Sequence, residues 1–281
     1  MKTIISASRR TDLPAGYPGW LAAALAGEEV SFLAPRGRRR VVDLRPDSVH
    51  TIVLWSKDFS RLLADEAGLR TALRKHRQLY FLFTVTGLGG TKIEPGSPPL
   101  ERALAELPAL IELAGDPRRI SLRFDPVVHW EEGGTVHRNI EFFGLVATAA
   151  RRHGIEDIRL SFAQWYGKGA RRARSRGFAF LDPPEEEKAA AALRLAETAA
   201  GFGLRLYACA QEFLARVPGF RPSACIDGRR LAALHPDGEP ASAAKDRTQR
   251  PACGCTVSVD IGSYAQACPH DCVYCYANKK D

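Results

Sequence analysis

The sequence predicts an α/β fold, a complete or partial (β/α) barrel of the TIM type, from three observations. Short apolar, β-branched segments recur along the 281 residues, and helical segments lie between them. Strands that alternate with helices of this length are typical of parallel βαβ units. About seven such strands in one chain are too many for two Rossmann halves and suit an open or closed barrel.

Each predicted strand is a continuous apolar run, which is the pattern of a strand buried on both faces. The runs occupy residues 3–8, 51–56, 79–86, 120–128, 158–162, 204–208 and 256–261.

The predicted helices fill the intervals between these strands. They span residues 20–26, 59–75, 100–113, 140–153 and 184–201. The last follows Asp182, which can cap the first turn, and its glutamates lie near the positive end of the helix dipole.

The barrel body is predicted to cover residues 1–235. Residues 236–281 then comprise an irregular linker, the last strand and a cysteine-rich loop. Because this segment is too short to form its own core, we expect it to pack on the same domain.

Polar residues follow five of the predicted strands, at residues 8–12, 55–58, 84–87, 123–126 and 164–168. In a barrel, the active site is built at the carboxyl ends of the strands, so these residues should converge on one mouth. Their fixed charges make four of them candidates for contact with substrate. These are Lys57, Arg123, Asp125 and Lys168.

Three cysteines near the end of the sequence, Cys268, Cys272 and Cys275, have a C-x₃-C-x₂-C spacing. Three thiolates on one loop can ligate three irons of a [4Fe–4S] cube and leave the fourth iron open. Structural zinc is the weaker alternative because it normally takes four protein ligands. A disulfide framework is disfavoured by the odd total of seven cysteines and the lack of a signal peptide.

The other cysteines, Cys209, Cys225, Cys253 and Cys255, match the ligand count of a second metal site. A second [4Fe–4S] cluster, a structural zinc and inert buried thiols all remain open for this set.

With Tyr274 just before its third cysteine, the C-terminal loop resembles the cluster motif of radical S-adenosylmethionine enzymes. The chain as a whole resembles an uncharacterised bacterial family, a domain of unknown function. That resemblance rests on residues 8–12, 55–57, 123–126, 245–250, 253–255, 260–264 and 268–278.

The resemblance implies a [4Fe–4S] cluster, S-adenosylmethionine and a one-electron donor such as flavodoxin or ferredoxin, with an unknown small-molecule or macromolecular substrate. Radical enzymes normally carry the loop near the N-terminus. A circularly permuted barrel would reconcile the two positions if strand 256–261 lies parallel to strand 3–8.

In that arrangement, residues around the cysteine loop would contact S-adenosylmethionine. Arginine would bind the carboxylate and aspartate the ammonium of S-adenosylmethionine. The predicted contacts are Ser8, Arg9, Arg10, Asp12 and Tyr274. The glycine run at residues 87–90 is a rival site, although such a run is more often a turn.

The net charge of +8 and two arginine clusters leave other classes open. Nucleic-acid binding or repair is one alternative, because basic patches neutralise phosphates. A non-catalytic iron–sulfur or zinc protein is another. No apolar run approaches the roughly 20 residues of a membrane span, so a cytoplasmic location is expected. The arginines concerned are Arg36, Arg38, Arg39, Arg40, Arg171, Arg172, Arg174 and Arg176.

Overall fold

The computed structural model describes residues 1–33 and 39–276. Arg36 and Arg38 of the first arginine cluster lie outside these residues. The strands are β1 (Thr3–Ala7), β2 (Glu29–Leu33), β3 (Arg39–Asp43), β4 (Val49–Ser56), β5 (Leu79–Thr84), β6 (Ile120–Val127), β7 (His129–Glu132), β8 (Thr135–Arg138), β9 (Asp157–Phe162), β10 (Ala179–Leu181), β11 (Arg205–Ala208), β12 (Phe220–Pro222) and β13 (Val259–Asp260).

The helices follow the same chain order, with three short 3₁₀ turns at Glu66–Gly68, Pro117–Arg119 and Asn139–Phe142. The α-helices are α1 (Leu13–Gly16), α2 (Pro18–Ala26), α3 (Ser60–Leu63), α4 (Leu69–Leu73), α5 (Leu100–Ala105), α6 (Leu107–Ala114), α7 (Phe143–Arg152), α8 (Gly167–Ser175), α9 (Glu185–Gly201), α10 (Glu212–Ala215) and α11 (Gly228–Ala233).

One sheet of eight strands organises the fold, in the order β12-β11-β9-β6-β5-β4-β1-β13. Every neighbouring pair in it is parallel. The α/β prediction is therefore confirmed. β12 lies outside the predicted strands, because its three residues include two exposed ones and carry no apolar run.

β13 lies parallel to β1, with Ile5 opposite Val259 and Ser6 opposite Asp260. The predicted pairing is confirmed, but β13 has two residues rather than the six predicted at 256–261. Thr256 instead forms an isolated antiparallel bridge with Lys245. The carboxylate of Asp260 fastens the pair, because it accepts hydrogen bonds from Ser8 Oγ at 2.6 Å and Arg9 N at 2.7 Å.

Two predicted helices are broken in the structure. The segment 59–75 divides into α3, a 3₁₀ turn and α4, because Asp65 and Ala67 adopt positive φ angles that no α-helix contains. The segment 100–113 divides into α5 and α6, and Pro108 lies in the first turn of α6, where proline is tolerated.

Two small antiparallel sheets, β10-β7-β8 and β2-β3, flank the large sheet and were not predicted. Their strands are largely exposed or half-buried, so they lack the continuous apolar runs of the large sheet.

The main core lies between the large sheet and its helices. Phe59 packs edge-on against Phe81 and Phe83 of β5, and all three rings are fully buried. Burial of each ring stabilises the fold by about 1.5–3 kcal/mol. This packing keeps the carboxyl ends of the strands, where the candidate site lies, in register. None of the helices in the described ranges is long and apolar enough to cross a bilayer.

Candidate functional site

A cavity of about 310 Å³ opens at the carboxyl ends of the strands at the centre of the sheet. Residues 8–12 after β1, residues 55–57 around the end of β4, Thr84 of β5, and Arg123 and Asp125 of β6 all line it. The predicted convergence of strand ends is therefore confirmed for four of the five. All seven cysteines also line this cavity, and none is in a disulfide.

Lys168 is the exception among the predicted substrate contacts. It lies in the first turn of α8 and is not among the described residues that line the cavity or its neighbour. The structure brings Lys57, Arg123 and Asp125 to the cavity but does not bring Lys168 there.

The loop with Cys268, Cys272 and Cys275 is held first by His270. The Nε2 atom of His270 lies 2.6 Å from Asp12 Oδ2, and its Nδ1 atom lies 3.1 Å from the carbonyl oxygen of Gly96. Because both ring nitrogens face acceptors, both carry protons. Burial alone would lower the pKa of His270, but the Asp12 carboxylate outweighs it and raises the pKa above its ordinary value.

Asp12 is fully engaged by the protein. Its oxygens accept hydrogen bonds from Ala15 N, Ser56 Oγ and Lys57 N at 2.8–3.0 Å, in addition to His270. A bound ammonium group would have to displace one of these donors. The contacts therefore favour a role in fixing the loop over the predicted contact with S-adenosylmethionine, which stays a prediction.

The second attachment of the loop is Tyr274, whose hydroxyl donates a short hydrogen bond to Glu94. Glu94 is 1% exposed and also binds Lys57 Nζ at 2.9 Å and Thr86 Oγ1 at 2.7 Å. Burial lowers the pKa of Lys57, but the charge of Glu94, the interaction with Cys272 and the hydrogen bond to Glu94 together raise it above its ordinary value. Glu94 was missed because it does not lie at a strand end, and His270 was missed because it is one of the three unspecified residues between Cys268 and Cys272.

The thiols of Cys268 and Cys272 are neutral without a bound cation. Burial raises the pKa of Cys268 to about 12, and burial together with the charge of Glu94 raises the pKa of Cys272 well above its ordinary value. A metal group that bound here would therefore release protons on binding.

The other four cysteines, Cys209, Cys225, Cys253 and Cys255, form a second group at the cavity, which we call the four-cysteine group. The Sγ atoms of Cys209 and Cys225 are 3.8 Å apart. Cys255 hydrogen-bonds both Cys225 and Cys253, so the four thiols make a continuous series of contacts. The structure thus brings together the whole set, although metal binding by it stays a prediction.

Gly254 makes this approach possible. A Cβ atom on Gly254 would lie 2.5 Å from the carbonyl oxygen of Ser223, so only glycine fits between Cys253 and Cys255 here. The Gly254 amide donates to that same oxygen at 3.0 Å. The Cys-Gly-Cys sequence therefore serves to seat two thiols beside Cys225.

Two arginines that line the cavity, Arg9 and Arg123, lie close to the ring of Trp55. The guanidinium carbons of Arg9 and Arg123 lie 5.4 and 5.2 Å from the centre of the Trp55 ring, within the range of cation–π attraction. Arg123 also pairs closely with Asp125 and hydrogen-bonds Cys209. Arg9 lowers the pKa of Cys255, after the larger effects of hydrogen bonds from Cys225 and Cys253.

Ser8 and Arg10, predicted to bind the cosubstrate, hold the β13 segment instead. Ser8 Oγ donates to Asp260, and Arg10 Nη1 donates to the carbonyl oxygen of Gly262 at 2.6 Å. Arg9 differs, because its Nη2 atom is buried at the cavity with no hydrogen-bond partner among the described residues. Of these three side chains, Arg9 is thus the one placed to bind a ligand.

The glycine run at residues 87–90 forms a tight turn rather than a ligand cradle. Gly87 and Gly90 have positive φ angles, and a Cβ atom on Gly89 would overlap the carbonyl oxygen of Pro98. None of these glycines is among the described residues that line the cavity.

The second arginine cluster partly serves the cysteine loop. Arg176 binds Asp271 at 2.8 Å, and Arg172 donates to the carbonyl oxygen of Cys275 at 3.4 Å. Arg171 and Arg174 are exposed. Two of the four charges thus hold the loop in place, which weakens the argument for a nucleic-acid surface.

Within residues 1–33 and 39–276, no three His, Cys, Asp or Glu side chains are arranged to hold a single metal ion. An iron–sulfur cube places a different demand on the protein, because each thiolate binds a different iron. Binding of a cluster by Cys268, Cys272 and Cys275 stays a prediction.

A family model described as Domain of unknown function (DUF1848) matches residues 4–277. A crystal structure of D-hydantoinase is similar at 16% sequence identity and a TM-score of 0.32, over 73% of this chain and 41% of that chain. The chain thus spans less than half of the hydantoinase. No curated protein matches the sequence.

Proposed function

We propose a function for this chain from the premise that it belongs to the DUF1848 family, a domain of unknown function. In the proposal, Cys268, Cys272 and Cys275 bind a [4Fe–4S] cluster, and the protein cleaves S-adenosylmethionine reductively to start radical chemistry. The supporting observation is that these three cysteines, on one short loop, face a cavity at the carboxyl ends of parallel strands.

The residues of the loop fit such a cluster. They offer three thiols, and the loop is fixed by His270 and Tyr274, whose partners Asp12 and Glu94 belong to the sheet side of the cavity. When bound, the cluster supplies an electron that splits the sulfonium of S-adenosylmethionine and gives a 5′-deoxyadenosyl radical, which removes a hydrogen atom from the substrate.

The cosubstrate contact that the geometry favours is Arg9. Its buried Nη2 atom has no hydrogen-bond partner among the described residues, and a carboxylate is the natural acceptor for a guanidinium. Ser8, Arg10 and Asp12 hold the surrounding backbone, so they orient the site without touching the ligand.

A permuted, partial (β/α) barrel is the finer fold that goes with this function. β13 lies parallel to β1, and the cysteine loop follows β13. The loop therefore occupies the position that it would have after the first strand of an unpermuted barrel. Chain order changes, but the placement of the loop over the strand ends does not.

Arg123 and Asp125 are the proposed substrate contacts. They line the cavity and also a neighbouring one of about 490 Å³, so a substrate could extend from one to the other. Lys57 is engaged by Glu94 and serves to hold the Tyr274 side of the loop. The reducing electron would come from a protein of the flavodoxin or ferredoxin class.

The test is anaerobic purification, followed by iron and sulfide counting and assay of 5′-deoxyadenosine under reducing conditions. We expect a reduced cluster whose electron paramagnetic resonance (EPR) spectrum changes when S-adenosylmethionine is added. The variant C268A/C272A/C275A should form no 5′-deoxyadenosine, whereas Leu145→Ala, at an exposed site on α7, should behave as the unmodified protein. A spectrum insensitive to S-adenosylmethionine would indicate a non-catalytic metal protein and overturn the proposal.

A further inference from the structure

The four-cysteine group and the cysteine loop share one cavity. In the four-cysteine group, Cys225 and Cys255 are buried and Cys209 and Cys253 are half-buried, so the group forms part of the cavity wall. A structural zinc site is closed and needs no such access. The four-cysteine group therefore lies where a metal centre would contact a substrate bound in the cavity.

We propose that Cys209, Cys225, Cys253 and Cys255 bind a second iron–sulfur cluster, which accepts one electron from the substrate held in this cavity. The inference extends the proposed function and depends on it for the source of the substrate radical. The existence of the second cluster does not depend on it.

The spacing of the thiols favours several metal ions over one. Two thiolates on one tetrahedral metal, each about 2.3 Å from it, lie about 3.8 Å apart. The 3.8 Å between Cys209 and Cys225 fits that value. No three such side chains in the described residues are arranged to hold one ion. The four thiols would instead bind as two pairs, one pair on each iron of a [2Fe–2S] cluster.

The charges beside the four-cysteine group favour its reduced form. A cluster with four thiolate ligands is anionic, and it gains a further negative charge on reduction. Arg9 and Arg123 line the same cavity as the four cysteines. Asp125 compensates the charge of Arg123, so it is Arg9 that stabilises the more negative state, raises the reduction potential and makes the cluster an acceptor.

The proposed reaction removes two electrons and two protons from the substrate. A C–H bond of the substrate breaks homolytically, and the hydrogen atom goes to the 5′ carbon of the deoxyadenosyl radical. The substrate radical then gives one electron to the second cluster and one proton to solvent, which leaves a substrate oxidised by two electrons. An electron-carrier protein of the ferredoxin or flavodoxin class reoxidises the cluster.

The first experiment separates the two sites. The variant C268A/C272A/C275A, purified anaerobically, should keep about two irons with matching sulfide. Further replacement of Cys209 and Cys225 by alanine should remove that iron. Zinc in place of iron, or no metal in a variant that remains folded by circular dichroism, would overturn the inference and leave the proposed function standing. Conversely, the unmodified protein could fail to cleave S-adenosylmethionine while the triple variant still binds iron. The second cluster would then stand, and the proposed source of its electron would be removed.

The second experiment tests the acceptor role by redox titration of the C268A/C272A/C275A variant, followed by EPR. Adding Arg9→Gln should shift the reduction potential of the remaining cluster to a lower value. Arg123→Lys, which keeps the charge and an ion pair with Asp125, is the matched control and should shift it less. An unchanged potential in the Arg9→Gln protein, or an equal shift in both, would contradict the acceptor role.

Discussion

Three buried carboxylates near the site differ in how their charges are compensated. Asp12 faces the doubly protonated His270, and Glu94 faces Lys57. Glu106, at the start of α6, has no such partner; it accepts the amide of Phe59 at 2.8 Å and lies beside Asp58. Burial, with Asp58 adding to it, raises the pKa of Glu106 to about 8. Its environment thus favours the protonated acid.

Glu106 should make the stability of the protein depend on pH. Its folded-state pKa lies above the ordinary value of 4.5, so unfolding releases a proton between pH 4.5 and about 8. The free energy of unfolding should therefore fall as pH rises through this window, by up to about 1.4 kcal/mol per pH unit, and level off above it. Glu106→Gln, which keeps an acceptor for Phe59, should remove this fall.

Urea unfolding across this pH range measures the effect. Glu101→Gln, on the exposed face of α5, removes the same charge without burial and is the control. Parallel profiles for the unmodified protein and Glu106→Gln would show that Glu106 ionises without penalty.

The cysteine loop meets the loop between β5 and α5 through a backbone contact. The Gly96 amide donates to the carbonyl oxygen of His270 at 3.0 Å. A Cβ atom on Gly96 would lie 2.2 Å from the carbonyl oxygen of Pro269. The two loops can approach this closely only because residue 96 is glycine.

Gly96→Ala should therefore displace the cysteine loop. Because the clash is with backbone, we expect a loss of about 1–3 kcal/mol in the free energy of unfolding, with reduced iron retention after anaerobic gel filtration. Gly144→Ala is the control: its Cβ atom would meet nothing within 4 Å on α7, so it should be neutral or stabilise by up to about 1 kcal/mol. Equal iron content in both variants would show that the contact does not position the loop.

The strands that the sequence predicts well are those of the large sheet. β1, β4, β5, β6 and β9 are mostly buried, β11 is buried at alternate residues, and all six fall at or near the predicted ranges. β7, β8 and β10 escape prediction because half-exposed antiparallel strands lack continuous apolar runs. For the site, cysteine spacing identified the loop, whereas the contacts of Glu94 and His270 depend on long-range folding that no local pattern encodes.

Polar contacts join β13 and the cysteine loop to the rest of the molecule, in addition to the burial of Ile261 in the main core. Asp260 is central to them, because it binds Ser8, the Arg9 amide and Arg10. The apolar core of the other seven strands does not depend on this carboxylate, so attachment of the loop and folding of the body are separable.

Asp260→Ala should detach the β13 segment while the body of the sheet stays folded. We expect near-unchanged circular dichroism but faster hydrogen exchange and protease cleavage between residues 256 and 276. Asp237→Ala, which removes an exposed ion pair with Arg77, should change neither. Cooperative unfolding of the whole Asp260→Ala protein would mean that the β13 segment belongs to the main folding unit.

The pairing of β1 with β13 also sets the order of events during synthesis. The ribosome makes β1 first, yet its neighbour on one side and the cysteine loop follow only after the other strands of the sheet are complete. Until then, one edge of β1 has unpaired backbone groups, and the cavity lacks one wall. Under the proposed function, cluster loading is therefore a step of maturation, because a chain that stalls before β13 lacks the cysteine loop.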